Sequence, residues 1–293
     1  MSNIVLFTII TLSSIGVISA IILYFVAQKF KVYEDPKIDE IEEALPNANC
    51  GGCGYPGCRN FAEACVKAEN LDDLYCPVGG NDTMISVASI LGQEVSEKEK
   101  QVAVVRCSGS PDKRKRINTF DSAKNCTIAA NFYGGETACS YGCLGLGECV
   151  DACNFDAMYM DEKTGLPVVI TDNCTACGAC VEACPKDIIE LRNLGKKERR
   201  IFVSCVNEDK GAVAKKACDV ACIACSKCFN ACKFDAITMA NNRAYIDYNK
   251  CVLCRACVSV CPTDAIHEIN FPLRKIKSTE KKETINEKIV KNA

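Results

Sequence analysis

The sequence has no tryptophan, a single histidine (His267) and a formal net charge of only −2. One histidine excludes a His-rich zinc or haem centre. The near-neutral charge gives no electrostatic case for nucleic acid as a partner. No G-x-G-x-x-G or Walker-type loop is present, and no acid–base constellation stands out. What is abundant is cysteine, 25 of 293 residues. A disulfide scaffold is the first explanation of such a count, but those scaffolds are usually short secreted chains. Here the cysteines form tight C-x2-C-x2-C runs, which favour metal.

Residues 4–27 form an uncharged, mostly apolar stretch, IVLFTIITLSSIGVISAIILYFVA. At about 1.5 Å per helical residue it is long enough to cross a hydrocarbon core of about 30 Å. A cleaved signal peptide is the competing reading. No Lys or Arg precedes the run, it is long for a signal h-region, and no clean small-x-small site precedes Lys29. The expectation is an uncleaved single-pass anchor, in contact with the lipid of the cell (inner) membrane over residues 4–27. Lys29 and Lys31 follow the stretch, which puts the bulk of the chain on the cytoplasmic side. The reducing cytosol also keeps thiols available for metal.

The first motif is LPNANCGGCGYPGC, residues 45–58, with a further Tyr-Cys-Pro at 75–77. Its ligand candidates are Cys50, Cys53, Cys58 and Cys76. Three thiolates on one short loop and a fourth returning from beyond a helix suit a cubane, which needs soft ligands converging from several directions. The loop glycines permit tight turns and bring N–H groups toward cluster sulfurs. Residues 59–72 read as a helix, and Cys65 on it reads as a small core residue. A zinc knuckle is the rival, but zinc sites usually use two separated cysteine pairs.

Four related runs follow: Cys139, Cys143, Cys149 and Cys153; Cys174, Cys177, Cys180 and Cys184; Cys222, Cys225, Cys228 and Cys232; Cys251, Cys254, Cys257 and Cys261. Runs two and four end in Cys-Pro and match the bacterial ferredoxin pattern; runs one and three carry Asn154 and Lys233 in place of the proline. An Asp recurs after each fourth cysteine, at Asp156, Asp187, Asp235 and Asp264. Its expected role is to close the turn into the next strand. In two-cluster ferredoxins the fourth cysteine of a run ligates the neighbouring cluster. Pairing run one with two gives Cys139, Cys143 and Cys149 with Cys184, and Cys174, Cys177 and Cys180 with Cys153. Pairing run three with four gives Cys222, Cys225 and Cys228 with Cys261, and Cys251, Cys254 and Cys257 with Cys232. The pieces LPVVIT and RAYIDY between paired runs suit hairpins. Run one is irregular, with x3 and x5 gaps, so a three-iron or unusually tuned cluster is a second reading there.

These twenty cysteines make five [4Fe–4S] clusters. Val105-Arg-Cys107 with Cys126 precedes run one, and Val203-Ser-Cys205 with Cys218 precedes run three, so a longer unit is duplicated. Cys107, Cys126, Cys205 and Cys218 are either buried structural thiols or the ligands of a sixth cluster. Two basic runs, residues 113–116 and 196–200, are either solvated loops or docking sites for an acidic electron carrier. The Lys/Glu-rich segment 274–293 reads as a frayed helix or a disordered tail.

The expected fold class is α+β. An anchor covers 1–28, a small α-helical [4Fe–4S] domain 33–92 and a leader with a cysteine pair 93–136. A first ferredoxin module covers 137–195, a second leader 196–220, a second module 221–272 and a polar tail 273–293. No catalytic residue is expected.

The order of anchor, LPNANCGGCGYPGC, then CSYGCLGLGECVDAC leading into ferredoxin runs resembles the B subunit of the Rnf electron-transport complexes over nearly the whole chain. The resemblance implies a membrane complex of several subunits that moves electrons between reduced ferredoxin and NAD, coupled to Na+ or H+ translocation. It implies soluble ferredoxin as a partner, and enzymatic activity only within the complex. Two ferredoxin-like modules depart from the shorter family version, which has one. A different class, the electron-wire subunit of a membrane dehydrogenase or hydrogenase, fits the same cysteine runs.

Overall fold

The computed structural model describes residues 2–29, 35–119, 121, 123–132 and 134–272. Lys31 and the expected polar tail lie outside the described residues. Helix α1, Ser2–Lys29, is the one helix among them long and apolar enough to span a membrane. Its side chains are exposed from Leu6 onward, so nothing described in the chain covers its apolar surface. Lipid contact would remove the cost of exposing that surface to water.

Three helices follow: α2 (Pro36–Ala44), α3 (Cys58–Lys67) and α4 (Gly80–Leu91). Pro36 opens α2, where its missing N–H costs nothing, and Asp35 caps it by accepting from the Lys37 N–H at 2.9 Å. Ile38, Ile41, Phe61, Ala62, Met84 and Val87 face inward at helical spacing and form one core. Arg59 on α3 ties back to Glu42 and Asp39 on α2 at 2.7 and 3.0 Å. The helix expected over 59–72 ends earlier. Ala68 turns extended, its carbonyl accepts from Gln93 Nε2, and Asn70 folds onto the Asp72 N–H.

The remainder forms two similar units. The first contains β1 (Gln101–Val105), α5 (Cys126–Phe132), α6 (Glu148–Asp151), β2 (Met158–Met160), β3 (Pro167–Val169), α7 (Ala179–Glu182) and β4 (Ile189–Asn193). The second contains β5 (Arg200–Val203), α8 (Gly211–Ala217), α9 (Lys227–Ala231), β6 (Ile237–Ala240), β7 (Arg243–Ile246), α10 (Ala256–Val260) and β8 (Ile266–Ile269). In each, a central hairpin forms: β2 with β3, and β6 with β7, both antiparallel. Asn241 and Asn242 at φ 48° and 55° close the second hairpin in the left-handed region that suits two-residue turns. In each, the leader strand pairs antiparallel with the last strand, β1 with β4 and β5 with β8. The leader of each unit thus pairs with its last strand in a two-stranded sheet separate from the central hairpin. The four recurring aspartates, Asp156, Asp187, Asp235 and Asp264, sit at φ 50°, 50°, 48° and 53°, one residue before a buried Ala or Ile. Asp is among the few residues that tolerate this conformation, which explains its recurrence.

The two units are joined by buried polar contacts. Arg192 on β4 is 1% exposed. Its guanidinium lies 5.7, 5.2 and 5.6 Å from the rings of Phe202, Tyr245 and Tyr248 in the second unit, and it pairs with Glu190. Arg106 also pairs with Glu190, at 3.1 Å, and donates to the Val203 carbonyl at 3.3 Å. Two cations sharing one carboxylate between aromatic faces fix the joint in one geometry.

Candidate metal centres

Four small cavities recur in the molecule, each ringed by four cysteines. The first, in the helical domain, is lined by Cys50, Cys53, Cys58 and Cys76. Asn49 holds the loop by accepting from the Cys58 N–H at 2.8 Å, and the Gly79 N–H points at Cys76 Sγ at 3.4 Å. Cys65 is absent from this rim. It lies wholly buried in the core beside Phe61 and Ala62, and burial pushes its thiol up to about 12.

A second cavity is lined by Cys174, Cys177, Cys180 and Cys153, and a third by Cys222, Cys225, Cys228 and Cys261. In both, the short helix that holds the third cysteine carries the fourth away from this ring. A backbone donor again faces a sulfur: Ala103 N–H reaches Cys174 Sγ at 3.5 Å. Cys232, Cys251, Cys254 and Cys257 also neighbour one another. After burial, the charges of Cys254 and Cys232 oppose ionisation of Cys251, and those of Cys251, of Cys228 from the third cavity and of Cys254 oppose ionisation of Cys257.

The fourth cavity departs from the expected grouping. It is lined by Cys143, Cys149, Cys184 and Cys126, not by Cys139. Cys126 begins α5, which is tied down where Glu148 on α6 accepts from the Thr127 N–H and hydroxyl, both at 3.0 Å. Leu146 also lines this cavity. The reason is visible when runs one and three are laid in register from Cys139 and Cys218: CSYGCLGLGECVDAC against CDVACIACSKCFNAC. Cys143, Cys149 and Cys153 fall on Cys222, Cys228 and Cys232, and Leu146 falls on Cys225. Run one is thus an ordinary run lacking its second cysteine, and Cys126 stands in the gap. The x3 gap belongs to an extra cysteine, Cys139, outside the run. That register was the signal available in the sequence; reading Cys139 as the first member of run one obscured it.

These sites fit a four-iron cluster better than a single ion. Among the described residues, no three Cys, His, Asp or Glu side chains converge closely enough to hold one metal ion. Tetrahedral zinc at about 2.3 Å per sulfur would need all four thiols within about 4 Å of each other. A cubane needs them spread around a larger body, with N–H donors on the sulfurs. Burial pushes Cys143 and Cys180 up to about 12, so these thiols are protonated until a metal replaces the proton.

The basic runs are largely engaged within the chain. Arg114 donates to the Cys143 carbonyl, Arg116 pairs with Glu136 at 2.8 Å, and Arg200 is buried and donates to Thr171 Oγ1 at 3.1 Å. The small domain meets the first unit at Gly52. A Cβ there would lie 2.8 Å from Cys177 Cβ and 2.9 Å from its carbonyl oxygen, so the absence of a side chain lets the two cysteine loops touch. At the other extreme, Cys225 and Cys254 are the exposed cysteines of the chain. Val252, Phe229 and Phe234 stand exposed in the same segments.

Known iron–sulfur families resemble parts of this chain. Three family models match: a putative Fe–S cluster over residues 45–77, a 4Fe–4S dicluster domain over 140–191 and a 4Fe–4S binding domain over 244–267. The chain is 44% identical to the B subunit of the Na+-translocating ferredoxin:NAD+ oxidoreductase complex of Acetobacterium woodii, across 85% of this chain and 74% of that protein. It is 39% identical to the B subunit of an ion-translocating oxidoreductase complex of Methanosarcina acetivorans, across 85% and 93%. It is 38% identical to the B subunit of the proton-translocating ferredoxin:NAD+ oxidoreductase complex of Clostridium ljungdahlii, across 84% and 85%.

Proposed function

Because this chain belongs to the family of B subunits of ion-translocating ferredoxin:NAD oxidoreductase complexes, we propose that it takes electrons from reduced ferredoxin at its C-terminal unit and delivers them beside its membrane anchor. It is an iron–sulfur electron-transfer subunit, and oxidoreductase activity belongs to the assembled complex. We assign five [4Fe–4S] clusters to the four cysteine-ringed cavities and the Cys232, Cys251, Cys254 and Cys257 group, with each unit from β1 and from β5 onward acting as a two-cluster ferredoxin module. Bound there, each cluster supplies reversible one-electron chemistry without bond making.

The chain's own residues hold and insulate these sites. Backbone N–H groups of Gly79 and Ala103 face thiolates and favour their charged state, which tunes potential. Gly52 keeps the loops of Cys53 and Cys177 in contact, so the route has no gap at the small domain. The observation that carries this reading is the contrast in exposure. Cys225 and Cys254 are open to solvent, with apolar Val252 and Phe229 nearby to dock a carrier, whereas the thiols of the first unit are all buried or half-buried. Lys29 at the end of α1 supports a cytoplasmic location for these domains. The coupled ion differs among relatives, Na+ in one and H+ in another, so its choice rests with the membrane partners.

Rapid mixing of the anaerobic full-length protein with reduced ferredoxin tests this, read as bleaching of the broad visible absorbance. Val252→Glu should slow bleaching about tenfold at low salt by repelling an acidic carrier, with unchanged iron content. Unchanged bleaching in Val252→Glu would place the docking site elsewhere.

A further inference from the structure

Four cysteines remain outside the five sites apart from the core residue Cys65: Cys107, Cys139, Cys205 and Cys218. They come from four separate segments, and the joint between the units brings them together. The ends of β1 and β5 are zipped by Ser108 Oγ to Ser204 Oγ at 2.6 Å and by Arg106 to the Val203 carbonyl. Cys107 lies between Arg106 and Ser108, and Cys205 directly follows Ser204, so both thiols stand at this joint. The segment 113–116 then runs between the other two. On one edge it pairs with Ala217 and Cys218, and on the other Ala138 N–H donates to the Lys115 carbonyl at 2.8 Å, beside Cys139. Gly109 lies between sulfurs: a Cβ there would be 3.3 Å from Cys218 Sγ and 3.7 Å from Cys107 Sγ. Cys139 is close enough to Cys107, Cys205 and Cys218 to oppose the ionisation of each.

The donor pattern follows the duplication. Cys107 Sγ accepts the backbone N–H of Cys143, at 3.4 Å, and of Gly109. Cys205 Sγ accepts the backbone N–H of Cys222 and of Asn207. Cys143 and Cys222 are equivalent in the two runs, and so are Cys139 and Cys218. Asn207, 1% exposed, turns its side-chain amide onto Cys139 Sγ at 3.3 Å. Arg114 lies beside Cys107 and Cys218 with its cation. Four thiols, a buried amide donor, paired backbone donors and an arginine make a cradle for an anionic, soft-ligated cluster.

We infer that Cys107, Cys139, Cys205 and Cys218 together hold a sixth [4Fe–4S] cluster at the joint of the two units. This rests on the reading that the other thiols hold clusters. The new site differs from the set expected from sequence in replacing Cys126 by Cys139. Its position gives it a purpose. Cys143 and Cys222, which donate to it, are themselves thiols of the adjoining sites of the first and second units, so it joins two otherwise separate pairs into one line.

The test is iron and acid-labile sulfide per full-length chain, purified in detergent without oxygen. Six clusters require about 24 iron atoms and five about 20. Cys205→Ser should lose about four iron and four sulfide, and Cys139→Ser the same four. The double variant should lose no more than either alone. Full iron in Cys205→Ser, or additive losses in the double variant, would overturn the assignment. So would about 20 iron with one zinc per chain in the native protein. If the variants do not accumulate, spin counting by EPR on fully reduced native protein decides: six spins support the site and five remove it. A native protein near 20 iron leaves the five-cluster reading standing, whereas one without iron removes both.

Discussion

The two units have nearly the same plan and opposite surroundings. Each pairs a leader strand with its last strand, carries a central hairpin, and turns through left-handed aspartates. In the second unit the second cysteine of each run, Cys225 and Cys254, is exposed. In the first unit the equivalent place in run two, Cys177, is covered by Gly52 of the small domain, and the equivalent in run one is Leu146. One scaffold therefore leaves a cysteine exposed in each run of one unit and none exposed in the other. What changes is which loop faces solvent and which segment supplies the missing thiolate. The first unit takes Cys126 from its leader helix, a thiol that the second unit does not need because Cys225 is present.

Exchanging the two solutions puts this contrast to its hardest test. Cys126→Ser should remove about four iron atoms from the chain, whereas adding Leu146→Cys to that variant should restore them, measured as iron and sulfide per chain. Failure of the restored cysteine to recover iron would mean that the registers of runs one and three are not structurally equivalent.

Next in size is the joint. Arg192→Met leaves Glu190 with one cation and removes the guanidinium from three aromatic faces. A loss of ~2–3 kcal/mol is expected from the desolvated cation–ring contacts, because Arg106 still compensates Glu190, read from denaturant unfolding. A loss near zero would show that the units dock without this contact.

In the small domain, Cys65→Ser puts a hydroxyl into an apolar core at ~1–3 kcal/mol but should leave iron content unchanged, because Cys65 is outside the ring of four thiols. Iron loss in that variant would make Cys65 a ligand.

The smallest effect concerns the repeated turns. Asp235→Ala at φ 48° should cost ~1 kcal/mol, and Asp235→Gly less, seen as a small and a smaller drop in melting temperature. Equal drops for both would point to a side-chain bond rather than backbone conformation.

The three thiols that the runs at 174–184 and 222–232 each give to one ring could be read as a group from spacing alone, because three cysteines wrapped on one loop are a local property of a few consecutive residues. The hairpins, the apolar span and the turn aspartates were legible for the same reason: periodicity, length and left-handed turn preference are local. Domain edges were less so, since the leader strands join their units only through pairing with residues about 60–90 positions later. The end of α3 at Lys67 likewise depends on Gln93, far along the chain. The cysteine count, their grouping in runs and the duplication follow from the amino-acid order directly. Which thiols share a centre in run one, and whether Cys107, Cys139, Cys205 and Cys218 meet at all, depends on how the chain packs. A cluster's fourth ligand, or all four at the joint, comes from segments whose proximity is set by strand pairing and by the buried Arg192 and Arg106 contacts, and no spacing along the chain encodes that distance.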